Sequence, residues 1–84
     1  MVINKTDDFI ASVEKLPSDA KRLLKRQEEI FEHNWLDTRL HLKKLKNEDG
    51  VYSFRITRRY RVLFYFSKGE AVFFEVGHRK EIYR

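Results

Sequence analysis

The sequence predicts an α+β domain, an N-terminal α-helical hairpin packed on a twisted antiparallel sheet of about four strands. Three observations carry that prediction. Apolar residues recur at helical spacing over the first third of the chain and alternate over the last third. Pro17 and Gly69 interrupt these patterns where a helix must stop and a hairpin must turn. With 84 residues, 42% hydrophobic and 14% aromatic, the chain has material for one core, so residues 1–84 read as a single domain.

In chain order, residues 1–5 are a candidate strand that joins the sheet. Thr6 is placed to cap the first helix, with Asp7 and Asp8 in the turn where carboxylates complement the helix dipole. Phe9, Ile10, Val13 and Leu16 form its apolar stripe, and Pro17 ends it. Ser18 and Asp19 restart the chain as cap and first turn of a second helix, which carries Ala20, Leu23, Leu24, Gln27, Ile30 and Phe31 on one side. Its other side is a mixed-charge solvated face. The hairpin must bury its stripes on the sheet. Residues 33–37 break the pattern, residues 40–46 read as an extended connector, and Asn47-Glu48-Asp49-Gly50 is a turn.

The meander follows. Tyr52, Phe54 and Ile56 face one way, while Ser53, Arg55 and Thr57 face the other. After a turn at Arg58-Arg59, Tyr60, Val62, Phe64 and Phe66 alternate with Arg61, Leu63 and Tyr65. Ser67-Lys68-Gly69-Glu70 is a second turn. Residues 71–76, apolar on both faces except Glu75, read as a central, buried strand. The chain then runs into an ionisable cluster at residues 77–84.

No cysteine is present, which excludes disulfides and thiolate zinc sites. No apolar run approaches the ~18 residues of a membrane span, and no secretion signal opens the chain. A soluble cytoplasmic protein is therefore expected. His33, His41 and Asp37 match no metal-binding spacing, and neither metal nor cofactor is expected. The net charge of +5 lies wholly in residues 51–84, because lysines and arginines balance acids in residues 1–50. That asymmetry points to a polyanion or an acidic protein partner.

Cleaving RNA without a metal requires a base for the 2′-hydroxyl, cations for the charge on phosphorus, and an acid for the leaving oxygen. Arg55 and Arg61 fall on neighbouring strands, within side-chain reach across the ladder, and two close cations favour an anion between them. His78, Arg79 and Tyr83 follow the third strand and are placed to close over the same face. His78 is the one acid–base group suited to neutral pH there, and a tyrosine can shuttle a proton or stack on a base. Arg58, Arg59, Lys80 and Arg84 are candidate RNA-binding cations; the plainer reading of Arg58 and Arg59 is a solvated turn that guards a sheet edge.

Residues 42–46, 50–56, 60–64 and 76–83, in this order and spacing, resemble the RelE/ParE toxin superfamily, and its RelE-like branch in particular. The resemblance covers the whole chain. It implies the toxin of a type II toxin–antitoxin pair, whose cognate antitoxin lays an acidic segment over the basic face. It also implies a metal-independent endoribonuclease that cuts messenger RNA in the ribosomal A site by 2′-hydroxyl attack, leaving a 2′,3′-cyclic phosphate. Residue by residue, Arg61 and Arg79 match the phosphate-stabilising arginines, and Arg55 a basic residue that positions the backbone or transfers a proton. Tyr83 matches the terminal aromatic, and His78 falls where several members keep an acid–base histidine. Ser53 stands where the RelE pattern has a further basic residue, leaving His78, Glu75 and Glu48 as candidate bases. A ParE-like DNA gyrase inhibitor and a non-catalytic antitoxin-binding module are the alternatives on the same fold.

Overall fold

In the computed structural model, which describes residues 1–82, the Thr6 hydroxyl accepts the Phe9 N–H at 3.1 Å and opens α1 (Asp7–Glu14). Pro17, not Ser18, stands at the N-cap of α2 (Ser18–His33), and no side chain caps that helix. A proline carries no N–H to leave unpaired there, and its carbonyl accepts the Lys21 N–H at 3.0 Å. Ala20, Leu24, Gln27, Ile30 and Phe31 form the buried stripe of α2, with Leu23 partly buried beside them.

Five strands, β1 (Ile3–Lys5), β2 (Lys43–Lys44), β3 (Tyr52–Arg55), β4 (Tyr60–Ser67) and β5 (Glu70–His78), form one sheet in the order β1-β5-β4-β3-β2. The expected antiparallel sheet of about four strands is corrected in two respects. β1 pairs with β5 in parallel, and the connector contributes β2 as an edge strand antiparallel to β3. β3 stops at Arg55 because Thr57 Oγ1 accepts the N–H groups of Arg59 (3.1 Å) and Tyr60 (3.2 Å), turning the chain into β4. Lys68 and Gly69 both take positive φ, 53° and 79°, the tight hairpin geometry that follows strand twist.

β5 lies inside the sheet, but only one of its faces is fully buried. Ala71, Phe73 and Val76 are buried, whereas Val72 and Phe74 are half-buried. Leu63 pairs with Glu75 and Phe64 with Phe73, so Phe74 is an extra residue, a β-bulge. The bulge shifts the alternation by one and turns Val76 and His78, not Gly77, toward the helices.

One aromatic core fills the space between helices and sheet. Phe31 meets Phe54, Phe64 and Phe73 at centroid distances of 5.4, 5.0 and 5.1 Å, and Phe9 packs edge-on against Phe73 at 5.6 Å. Burying each ring stabilises the fold by ~1.5–3 kcal/mol, and each edge-to-face pair adds ~0.5–1.5 kcal/mol. Gln27 can sit in the apolar stripe because its amide donates to the carbonyls of Arg39 (3.1 Å) and Arg55 (2.8 Å), fastening α2 to the end of β3. Among the described residues no helix is long and apolar enough to cross a membrane.

Candidate functional site

Register places Arg55 directly opposite Arg61, on the face of the sheet away from α1 and α2. Their surroundings differ. Arg55 is half-buried, but Arg61 is only 4% exposed. Its Nε donates to Ser53 Oγ at 3.0 Å, and its Nη2 donates to the carbonyls of Ser53 (3.3 Å) and His41. The guanidinium thus spans from β4 across β3 to the turn ahead of β2, where His41 adopts a left-handed backbone with φ 47°. Ser53 is fully buried beneath it. A phosphate at Arg61 has to exchange with these acceptors.

The expectation that His78 closes over the face of Arg55 and Arg61 is corrected by the bulge. His78 pairs with Tyr60 on the helix side, its ring edge-to-face with the tyrosine at 5.7 Å and 76°, and Gly77 takes the position opposite Arg61. His78 Nδ1 accepts the Lys80 N–H at 3.2 Å. With Nδ1 so engaged, a neutral imidazole carries its proton on Nε2. Arg79 opens the short helix α3 (Arg79–Ile82), and its N–H donates to the Arg59 carbonyl at 2.7 Å. That bond brings the exposed Arg58 and Arg59 beside His78, Arg79 and Lys80. One corner at the end of the sheet therefore gathers an imidazole and four cations. Tyr83 and Arg84 lie outside the described residues.

The lysines of the connector were not among the sequence candidates. Ile82 lies over Gly77, 3.5 Å from where a Cβ would stand, and together with residues 43–48 it lines a cavity of about 390 Å³. Lys43, Lys44 and Lys46 escape a reading by net charge because acids elsewhere in residues 1–50 cancel them; three lysines within four residues are the local signal. A second depression, lined in part by Arg26, His33, Asp37 and Arg39, has a structural purpose. Asp37 Oδ1 accepts the Arg39 N–H (2.9 Å) and Nε (3.0 Å), capping the single 3-10 turn Thr38–Leu40. These bonds to Arg39 hold the Asp37 carboxyl down at about 2. Among the described residues no group of three or more histidine and carboxylate side chains converges as a metal site.

No protein-family model matches the chain, and no curated protein matches it. Solved structures do. A chain of the RelB–RelE antitoxin–toxin complex from Methanococcus jannaschii aligns with a TM-score of 0.78 at 26% identity, covering 95% of this chain and 94% of that one. The chain has the fold of the RelE-like toxin superfamily. YafQ from Escherichia coli strain BL21(DE3) has the same toxin fold (TM-score 0.78, 14% identity, 98% of this chain and 97% of that one). So does YoeB, solved as a dimer from Staphylococcus aureus (TM-score 0.76, 15% identity, 94% and 97%). Within this RelE-like chain, the basic corner and the buried arginine are therefore two distinct regions of a toxin fold, joined through the pairing of β4 with β5.

Proposed function

We propose that this chain is the toxin of a type II toxin–antitoxin pair, a cytoplasmic, metal-independent endoribonuclease that cuts messenger RNA on the ribosome. The observation that carries the reading is the corner of His78 and Arg79, flanked by Arg58, Arg59 and Lys80, on a RelE-like fold. In this reaction the 2′-oxygen loses its proton and attacks the adjacent phosphorus. The bond from phosphorus to the 5′-oxygen breaks, and the leaving oxygen takes up a proton, giving a 2′,3′-cyclic phosphate and a 5′-hydroxyl end. As the imidazolium, with a proton on Nδ1 in place of the bond from the Lys80 N–H, His78 donates its Nε2 proton to the leaving oxygen and returns to the neutral ring. Arg79, the next residue, offsets the charge that grows on the non-bridging oxygens. Arg55 positions the backbone, and the carboxylate of Glu75, on the face of Arg55 and Arg61, accepts the 2′ proton. Arg58, Arg59, Lys80 and Arg84 hold neighbouring phosphates, and Tyr83 stacks on a base. Arg61 acts chiefly from below, holding Ser53 and His41 in place, and reaches phosphate by giving up those acceptors.

RelE of M. jannaschii and YafQ of E. coli are solved in complexes with antitoxins, RelB and DinJ, which supports a cognate antitoxin for this chain, laid across the basic corner. A second reading, a ParE-like gyrase inhibitor or a non-catalytic binding module, is favoured by one observation, the engagement of Arg61 by protein acceptors. Induction of wild type, His78→Gln and Arg79→Ala in a bacterial host, with messenger 5′ ends mapped, separates them. New cuts within coding regions that vanish in both variants support the endoribonuclease. Growth arrest with intact messengers and altered DNA supercoiling replaces it with the gyrase reading, and harmless expression leaves a binding module.

A further inference from the structure

Ser53 is fully buried under the face of the sheet away from α1 and α2, with cations at three neighbouring positions of that face. Lys43 pairs with it across β2, Arg55 follows it along β3, and Arg61 stands opposite Arg55 on β4. Arg61 turns the Nε and Nη2 edge of its guanidinium inward, onto the Ser53 hydroxyl at 3.0 Å, the Ser53 carbonyl at 3.3 Å and the His41 carbonyl. That edge is a planar fork, the geometry with which an arginine grips a phosphate through two parallel bonds. The same donors therefore cannot serve the protein and a phosphate at once.

The backbone that receives the guanidinium is itself in an uncommon state. His41 holds φ 47° and ψ 52°, a left-handed conformation rare outside glycine, and its carbonyl accepts from Arg61. Two residues later the chain enters β2, an edge strand of two residues, Lys43–Lys44. Withdrawing Arg61 from His41 removes a bond that fixes the entrance to that strand. A protein whose binding-competent arrangement is the minor one binds its ligand more weakly by that fraction. The strength with which Ser53 and His41 hold Arg61 is thus also a control on affinity.

We propose that Ser53 is a positioning residue that sets how firmly Arg61 is withdrawn. In the resting protein its hydroxyl and the His41 carbonyl hold the Nε and Nη2 edge. An RNA phosphate arriving at Arg55 draws that edge away and releases the turn at His41 and the entrance to β2. The proposal rests on the endoribonuclease reading above and adds to it a competition between protein and substrate for one arginine. Free RNA is bound weakly for this reason, whereas a messenger held by further contacts overcomes the competition. The test is fluorescence anisotropy with a labelled, fully 2′-O-methylated RNA oligonucleotide, which cannot be cut, on wild type, Ser53→Ala and Ser53→Thr, with thermal melts to check folding. Ser53→Ala should bind about tenfold more tightly, the effect of removing one hydrogen bond to a charged group, and Ser53→Thr, which keeps the oxygen, should stay within about twofold of wild type. In an Arg61→Ala background the serine substitution should leave affinity where it was. A serine that merely supported the fold would weaken binding when removed. Amide exchange on wild type needs no variant: saturating RNA should quicken exchange at residues 41–45. If wild type binds the RNA with that exchange unchanged or slowed, or if folded Ser53→Ala binds no more tightly, phosphate is taken without release and the proposal is overturned, while cleavage by wild type still upholds the endoribonuclease. If wild type neither binds nor cuts RNA, that reading and this proposal fall together.

Discussion

The two faces of the sheet are buried by opposite means. On the helix side Phe31 is surrounded by Phe54, Phe64 and Phe73, and the seal is made of rings. On the other side the buried residues are Ser53, Arg61 and Leu63, and the seal depends on one guanidinium with several acceptors. Ring packing degrades gradually when an atom is removed, since the loss scales with contact area. A polar seal fails abruptly, because each acceptor left unpaired carries its own desolvation cost.

The contrast can be broken at four points, in falling order of expected effect. Phe31→Ala should lower unfolding free energy by about 3–5 kcal/mol in a urea titration; a loss below ~1 kcal/mol would show that the core is not centred on that ring. Arg61→Ala should cost about 2–3 kcal/mol. Arg61→Lys should not restore it, because one ammonium cannot serve acceptors on two segments. Amide exchange should quicken selectively at residues 41–46, and uniform exchange would remove the strut role. Gln27→Leu, which leaves the Arg39 and Arg55 carbonyls unpaired, should cost about 1–2 kcal/mol in the same assay. Asp37→Asn should matter least, because the pair with Arg39 is exposed to solvent. Since the folded carboxyl titrates near 2, below its ordinary 3.8, its stabilising contribution is present above about pH 4 and is lost as pH falls toward 2. Wild type and variant melts that differ at neutral pH should therefore converge in acid; a gap that widens below pH 4 would contradict the assigned pairing.

Much of this fold is legible in the sequence for reasons that are local. Thr6 lies three residues before the amide it caps, and the alternation of Phe54 with Ser53 or of Val62 with Arg61 needs only the strand period. The candidate site is less legible, because two of its determinants are not local. Arg61 reads as a cation open to a phosphate until the His41 carbonyl, 20 residues away, is seen to receive it. His78 reads as facing Arg61 if residues are counted by twos from Phe73, and the single extra residue at Phe74 reverses that parity. Nothing in the apolar run of residues 71–76 marks where a bulge will fall. Arg58 and Arg59, plain as a guarded turn, gain meaning only from the Arg79 N–H that binds the carbonyl of Arg59.

The parallel pairing at the sheet edge bears on how the chain is made. Ile3 lies opposite Ala71, and Phe9 rests on Phe73, so β1 and α1, once made, find their partners only when most of this sequence has followed. Such long-range pairing slows folding and postpones it until β5 has been made. Until β5 emerges, the apolar stripes of the helical hairpin have no sheet to cover them. The nascent chain thus spends its synthesis with an exposed hydrophobic surface, a form suited to capture by a chaperone or partner before the basic corner has been assembled.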